Sequence, residues 1–197
     1  QIAVVITVRR VIVGNQVFNN LIIKSGGQIT HDDNKVVSAA NAKIGVRFNW
    51  ISITATNVTI EAGGSIDATG KGYVANAGGK QPGYGPGGGL GKYDAGGGGG
   101  GYGGKGGTGV SGTPGGPAYG SAINPTHLGS SGGTGHINYS YGGSGGGLIV
   151  LTVAQTLLVD GVIQTQGTTG TVKDKYGGGG GSGGTINIQT GAWGGSG

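Results

Sequence analysis

At 197 residues the chain has the length of one domain, yet 54 residues are glycine and only 34% are apolar, which excludes a deep globular core. Charged residues make up 10% and aromatic residues 6%, a balance that fits neither an ordinary enzyme-like domain nor a charged disordered tail. The net charge of +5 is scattered, with no basic run longer than Arg9-Arg10, so the clustered basic face that a nucleic-acid partner requires is missing.

The first segment, Ile2 to Val13, is rich in β-branched residues and predicts strands, with Gly14-Asn15 as a turn before the next one. It is also the longest apolar run. Thr7, Arg9 and Arg10 interrupt it well short of the roughly 20 residues that span a bilayer, so no membrane span is expected. The chain begins at Gln1 and contains no methionine, from which removal of a leader or upstream segment is expected. Cysteine is absent, which rules out disulfides and thiolate metal sites.

A strand-turn-strand phrase then appears three times. It reads Leu21-Ile22-Ile23-Lys24-Ser25-Gly26-Gly27-Gln28-Ile29, then Val58-Thr59-Ile60-Glu61-Ala62-Gly63-Gly64-Ser65-Ile66, and in shortened form Leu157-Leu158-Val159-Asp160-Gly161-Val162-Ile163. Repetition along a chain implies repetition along an axis in space, so the phrase predicts a solenoid. Between the first two copies, Ser38-Ala39-Ala40-Asn41-Ala42 reads equally as a helical turn or a loop. Over residues 43–70, Ile51-Ser52-Ile53-Thr54 and Val58-Thr59-Ile60 alternate with the period of a strand.

Residues 71–147 are dominated by glycine and cannot form an apolar core alone. Spaced tyrosines (Tyr73, Tyr84, Tyr93, Tyr102, Tyr119) and five prolines argue for a packed excursion over a flexible linker. The strand pattern resumes at Leu148, so 71–147 reads as an insertion within a single 1–197 domain. A second repeat, Gly142-Gly143-Ser144-Gly145-Gly146 and Gly180-Gly181-Ser182-Gly183-Gly184, is offset by 38 residues and is read as two coils of about 20.

The phrases Asn57 to Tyr73, Gly99-Gly100-Gly101-Tyr102-Gly103-Gly104-Lys105-Gly106-Gly107, Gly116-Pro117-Ala118-Tyr119-Gly120-Ser121 and Gly145-Gly146-Gly147-Leu148-Ile149 resemble the glycine-rich right-handed parallel β-helix domains of large secreted and cell-surface, adhesin-like proteins. The resemblance covers roughly residues 18–197. It implies an all-β fold, a single-stranded right-handed parallel β-helix with the glycine-rich insertion packed on it, and an extracellular or cell-surface setting. It implies no particular activity.

Candidate chemistry is sparse. Gly-x-Gly-x-x-Gly patterns arise by composition alone and no Lys-Ser/Thr follows in phosphate-loop register, so no nucleotide or other cofactor is expected. Of the seven acids, Glu61 and Asp160 hold equivalent turn positions in the repeated phrase, and only Asp32-Asp33 forms a local cluster. Beside His31 and Asn34, that pair is read as a solvated loop before a cation site. A carboxylate pair converging on one face is not in evidence, and the chain is read as no enzyme. Asn57-Val58-Thr59 and Asn138-Tyr139-Ser140 are glycosylation sequons, making Asn57 and Asn138 candidate acceptors. The outward positions aligned by the repeat are Ile22, Thr59 and Leu158, too unlike one another for a regular hydroxyl array that would bind ice.

A solenoid's end coils expose unpaired backbone groups unless capped, and neither end here carries a recognisable cap. The leading expectation is an extracellular structural protein assembling with other copies head to tail. In it the 1–13 strand, through Ile2, Val4, Ile6, Val8, Val11 and Val13, is donated to a neighbour. The alternative is a carbohydrate-binding or adhesive surface module that stacks glycans on Tyr84, Tyr93 and Tyr102.

Overall fold

Two stacks of parallel strands, built from short β-branched runs, dominate the molecule. The computed structural model describes residues 3–35, 47–75, 80–136, 140–173 and 176–197. One sheet, A, is made from β1 (Val4–Ile6), β3 (Gly14–Ile23), β5 (Ile51–Ile60), β7 (Leu148–Val159) and β11 (Thr185–Gly194), paired in that order and parallel throughout. The other, B, is made from β2 (Arg9–Val11), β4 (Gln28–Thr30), β6 (Ser65–Asp67) and β8 (Val162–Gln164), likewise parallel and in chain order. Each pass of the chain therefore lays one strand in A and, after a tight turn, one in B. A two-residue antiparallel pair, β9 (Val172–Lys173) with β10 (Tyr176–Gly177), lies apart from both sheets.

The repeated phrase is aligned in space as it aligns in sequence. Leu21, Val58 and Leu157 are direct register partners in sheet A, and Ile29, Ile66 and Ile163 are partners in sheet B. Glu61 and Asp160 occupy the same turn position, their N–H groups donating to the last strand residue of the layer before, Ile23 O and Ile60 O, each at 2.8 Å. The inward members, among them Leu21, Ile23, Ile53, Ile60, Leu151 and Leu157, form one buried core between the sheets.

The 38-residue glycine repeat spans one layer and not two. β7 and β11 are adjacent, with Leu148 opposite Thr185, and the return from sheet B to sheet A is itself a long excursion. Spacing alone does not distinguish one long coil from two short ones. β5 and β7 are also direct neighbours, although Asn57 and its bonded partner Thr156 are 99 residues apart. The Ser38 to Ala42 segment lies outside the described residues.

The glycine-rich passes form a third body, held by backbone hydrogen bonds. Along 96–101 successive N–H groups point to three different neighbours and return to each after three residues. Gly96 and Gly99 donate to Val110 O and Gly107 O, Gly97 and Gly100 to Gly177 O and Gly180 O, and Gly98 and Gly101 to Leu90 O and Gly87 O. Gly129, Gly132 and Gly135 donate to Gly146 O, Gly143 O and Ser140 O with the same period. Three residues per turn with no internal bonds is the repeat of a polyproline-II chain, here with neighbouring chains in place of water. A side chain would destroy this packing: a Cβ on Gly98 runs into the Pro114 carbonyl, on Gly116 into that of Gly87, and on Gly179 into that of Gly98. None of these three glycines has the left-handed φ that glycine alone favours, so glycine is required there for space.

Candidate functional site

At the sheet ends, apolar residues of the strand pattern are left uncovered. In the inward row Val4, Leu21, Val58, Leu157, Trp193 the three middle members are buried, while Val4 is 38% and Trp193 56% exposed. At the C-terminal end sheet A has one strand more than sheet B, so β11 overhangs the free edge of β8. The overhang encloses an apolar groove of about 300 Å³ lined by Val159, Val162, Ile163, Ile186, Ile188 and Trp193. At the other end β1 and β2 form the outer edges of the two sheets.

The segment expected to be donated is paired within its own chain: β1 lies on β3 and β2 on β4. Ile6 is buried, whereas Val4, Val8, Val11 and Val13 are exposed, and Ile2 lies outside the described residues. β1 is short. Among the described residues it pairs with Leu21–Ile23 of the ten-residue β3.

The acidic loop is structural. Asp33 Oδ1 accepts from Lys71 Nζ at 2.6 Å, and the neighbouring Asn34 is fully buried. The Asn34 amide is saturated: Nδ2 donates to Asn49 O (2.8 Å) and Lys71 O (2.9 Å), and Oδ1 accepts from the N–H groups of Phe48 (2.7 Å) and Asn49 (2.8 Å). It thereby fastens together three separate passes of the chain. Nothing in the sequence distinguishes this asparagine from its neighbours. His31 is also buried, its Nδ1 donating to Asp32 O at 2.8 Å while Nε2 has no partner. Burial holds its pKa below the ordinary histidine value, assisted by the Lys71 ammonium and opposed by the Asp32 hydrogen bond and by Asp33. Among the described residues no three His, Cys, Asp or Glu side chains are grouped to share a metal ion.

Asn57 sits on the outer face of β5, half-buried, in a polar ladder: Nδ2 donates to Asn20 Oδ1 (3.0 Å) and Oδ1 accepts from Thr156 N (3.2 Å). Asn138 lies outside the described residues. The outward row Ile22, Thr59, Leu158 is in register as aligned, and its members differ as the sequence indicated.

The three candidate stacking tyrosines are dispersed. Tyr84 is half-buried against the small core of Tyr73, Leu128 and Leu148, and Tyr93 is 49% exposed beside the His136 ring. Tyr102 packs edge-on to Tyr119 with ring centroids 4.9 Å apart. Thr185 Oγ1 gives its proton to His127 O, which makes the Tyr102 hydroxyl the donor to Thr185. Tyr119 donates to Leu128 O and accepts from Ser130 Oγ. Burial raises the Tyr119 pKa, and raises that of Tyr73 to about 12 against the opposing charge of Arg47. The Tyr102 and Tyr119 rings border an open pocket of about 340 Å³ with no charged lining residue.

Compared with known protein families, curated proteins and solved structures, the chain matches none of them. Among the described residues no helix is long and apolar enough to cross a membrane.

Proposed function

We propose that the chain is a non-enzymatic structural subunit of an extracellular fibre, a single-stranded right-handed parallel β-helix of residues 1–197 whose copies add end to end. Strand order follows chain order in both sheets, which is the connectivity of a solenoid, and right-handed crossovers are the near-universal choice for parallel strands. The observation that carries the assembly reading is the apolar groove between β8 and β11, where the inward-facing Ile186 and Trp193 are exposed. Unpaired edges with exposed apolar residues invite further strands, and a head-to-tail contact that does not close generates a filament.

Sedimentation and electron microscopy of the purified chain test the reading. Wild type is expected to form filaments as concentration rises, and Trp193→Asp, which places a charge in the groove at the exposed end of its inward row, is expected to stay monomeric. Dispersed wild-type monomers at all concentrations would overturn it. A second reading, glycan binding, is supported by the uncharged Tyr102–Tyr119 pocket; titration with neutral methyl pyranosides, followed by ligand-observed NMR, tests it, and absence of binding in the millimolar range refutes it.

A further inference from the structure

The long strands of sheet A carry no charge. β3, β5, β7 and β11 together hold no Asp, Glu, Lys, Arg or His, although the chain has 12 basic and 7 acidic residues. On the inward side this is the ordinary composition of a core. On the outward side it is unusual, because charged side chains collect on solvent-facing surface. The outer face offers neutral hydrogen-bonding groups in their place, with Asn15 and Ser52 in one row and Thr54, Thr152 and Gln189 in the next. Charges begin at its border, in the turn positions of Lys24, Glu61 and Asp160.

Part of that face is open and pre-ordered. Val17, Thr54, Thr152 and Gln189 are successive register partners on four neighbouring strands, and all four are exposed. Paired strands lie about 4.8 Å apart, so the row is an evenly spaced line of side chains. Threonine is stiff about χ1, and Asn15 Oδ1 accepts from Ser52 Oγ (3.1 Å) and Thr54 Oγ1 (3.3 Å), which holds these hydroxyls in place before a ligand arrives. Segment 118–127 stands as a wall at the start of the face. Thr185 Oγ1 donates to His127 O (2.8 Å), Asn187 Nδ2 donates to Pro125 O (3.4 Å), and the Tyr102 hydroxyl reaches Thr185 from the pocket. Gln189, in the open row, lies only four residues along β11 from Thr185, roughly 13 Å at about 3.3 Å per residue.

We propose that the Tyr102–Tyr119 pocket and the open outer face of sheet A form one site for an extended, neutral polysaccharide. The inference rests on the glycan reading of the pocket and extends it from a single ring to a chain. Tyrosine rings supply flat apolar surface with a polar tip, and hydroxyl and amide side chains both donate and accept, as sugar hydroxyls do. A flat row fits a chain that is itself extended, the geometry of β-1,4-linked pyranosides. Among the described residues the face provides no cation for a uronate or sulfate, so an anionic chain would lose water there without gaining a partner. A second copy seated face to face is the competing occupant. Protein interfaces draw on an apolar centre, and in this row Val17 alone is apolar.

Isothermal titration of the full chain with cellohexaose, xylohexaose and chitohexaose, their disaccharides and hexagalacturonate tests the proposal. At least one neutral hexasaccharide is expected to bind about tenfold or more tighter than its disaccharide, and hexagalacturonate is expected not to bind. Thr152→Glu, at an exposed position outside the core rows, should weaken the hexasaccharide about tenfold or more and leave methyl pyranoside binding unchanged. Gln166→Glu, exposed beyond β8, should change neither. Hexasaccharide affinity no greater than that of the disaccharide, or unmoved by Thr152→Glu, overturns the extended site and leaves the single-ring pocket standing. Failure of every neutral sugar, methyl pyranosides included, overturns both. Hexagalacturonate binding as tightly as the neutral hexamers overturns the selection for neutral chains. If no hexasaccharide binds and Thr152→Glu instead abolishes association between copies, the face belongs to a second copy and the proposal fails.

Discussion

Replacing Asn34 by alanine removes a side chain that bridges the passes at residues 34, 48–49 and 71 with four hydrogen bonds, and it does so at a site with no solvent exposure. The loss is unequal among the four partners. Phe48 is exposed and its N–H can recover a bond to water, whereas Asn49 and Lys71 are half-buried and their carbonyls recover less. With roughly 0.5–1.5 kcal/mol for each bond whose partner is rehydrated and about 1–3 kcal/mol for each group left buried and unpaired, the expected destabilisation is about 3–5 kcal/mol. That is a large share of the roughly 5–15 kcal/mol that holds a domain folded.

Urea unfolding followed by tryptophan fluorescence measures it directly, because Trp50 lies next to the clamped segment. The midpoint is expected to fall sharply with little change in slope. Asn34→Asp separates the two halves of the clamp: its oxygens keep the Phe48 and Asn49 N–H groups but turn a carboxylate toward the carbonyls of Asn49 and Lys71. It should lose stability comparably, and lose less at low pH where the carboxyl regains a proton to donate. A cost below about 1 kcal/mol for Asn34→Ala would refute the claim that this amide fastens the three passes.

Three further outcomes follow from the packing. The lowered pKa of His31 means that the unfolded chain binds more protons at acid pH, so stability should fall as pH drops below about 6.5, with a slope of at most about 1.4 kcal/mol per pH unit, and be flat above it; thermal melts of wild type and His31→Gln against pH should differ only in that acid limb. Gly98→Ala and Gly116→Ala should each cost about 2 kcal/mol or more by forcing lattice chains apart, while Gly104→Ala, whose added Cβ meets nothing within 4 Å, should stay within about 0.5 kcal/mol in the same denaturant assay. Leu151→Ala, in the centre of the inter-sheet core, should cost about 2–5 kcal/mol by calorimetry, and a smaller loss would mean the sheets close over the cavity.

The strands and their register were legible because the phrase around Leu21, Val58 and Leu157 couples an apolar alternation to a glycine turn, and both features are local. Trp193 was visible only as an apolar residue near a terminus; its position in the Leu157 row depends on β7 placing two residues, Ala154 and Gln155, against Gly191, which no local pattern announces. Asn34 was hidden altogether, because its value lies in partners 14 and 37 residues away that are backbone groups and carry no residue signature. The coil length was misread from the glycine repeat because composition marks where a lattice chain runs, and leaves open how far the chain travels before it returns to the sheet.

That lattice changes what glycine means in this chain. In most loops a glycine run signals freedom, because an isolated flexible segment has no apolar surface to bury. Here Gly142–Gly146 and Gly180–Gly184 lie side by side, Gly143 and Gly146 donating to Gly179 O and Ser182 O, and the same passes lead directly into β7 and β11. The absence of a Cβ lets each chain reach several neighbours at hydrogen-bonding distance, so cohesion comes from backbone groups that would otherwise be satisfied by water. Such a body gains little from the hydrophobic effect and depends on every pass being in place. A single side chain in its interior should act as a core mutation does, although no apolar contact is lost.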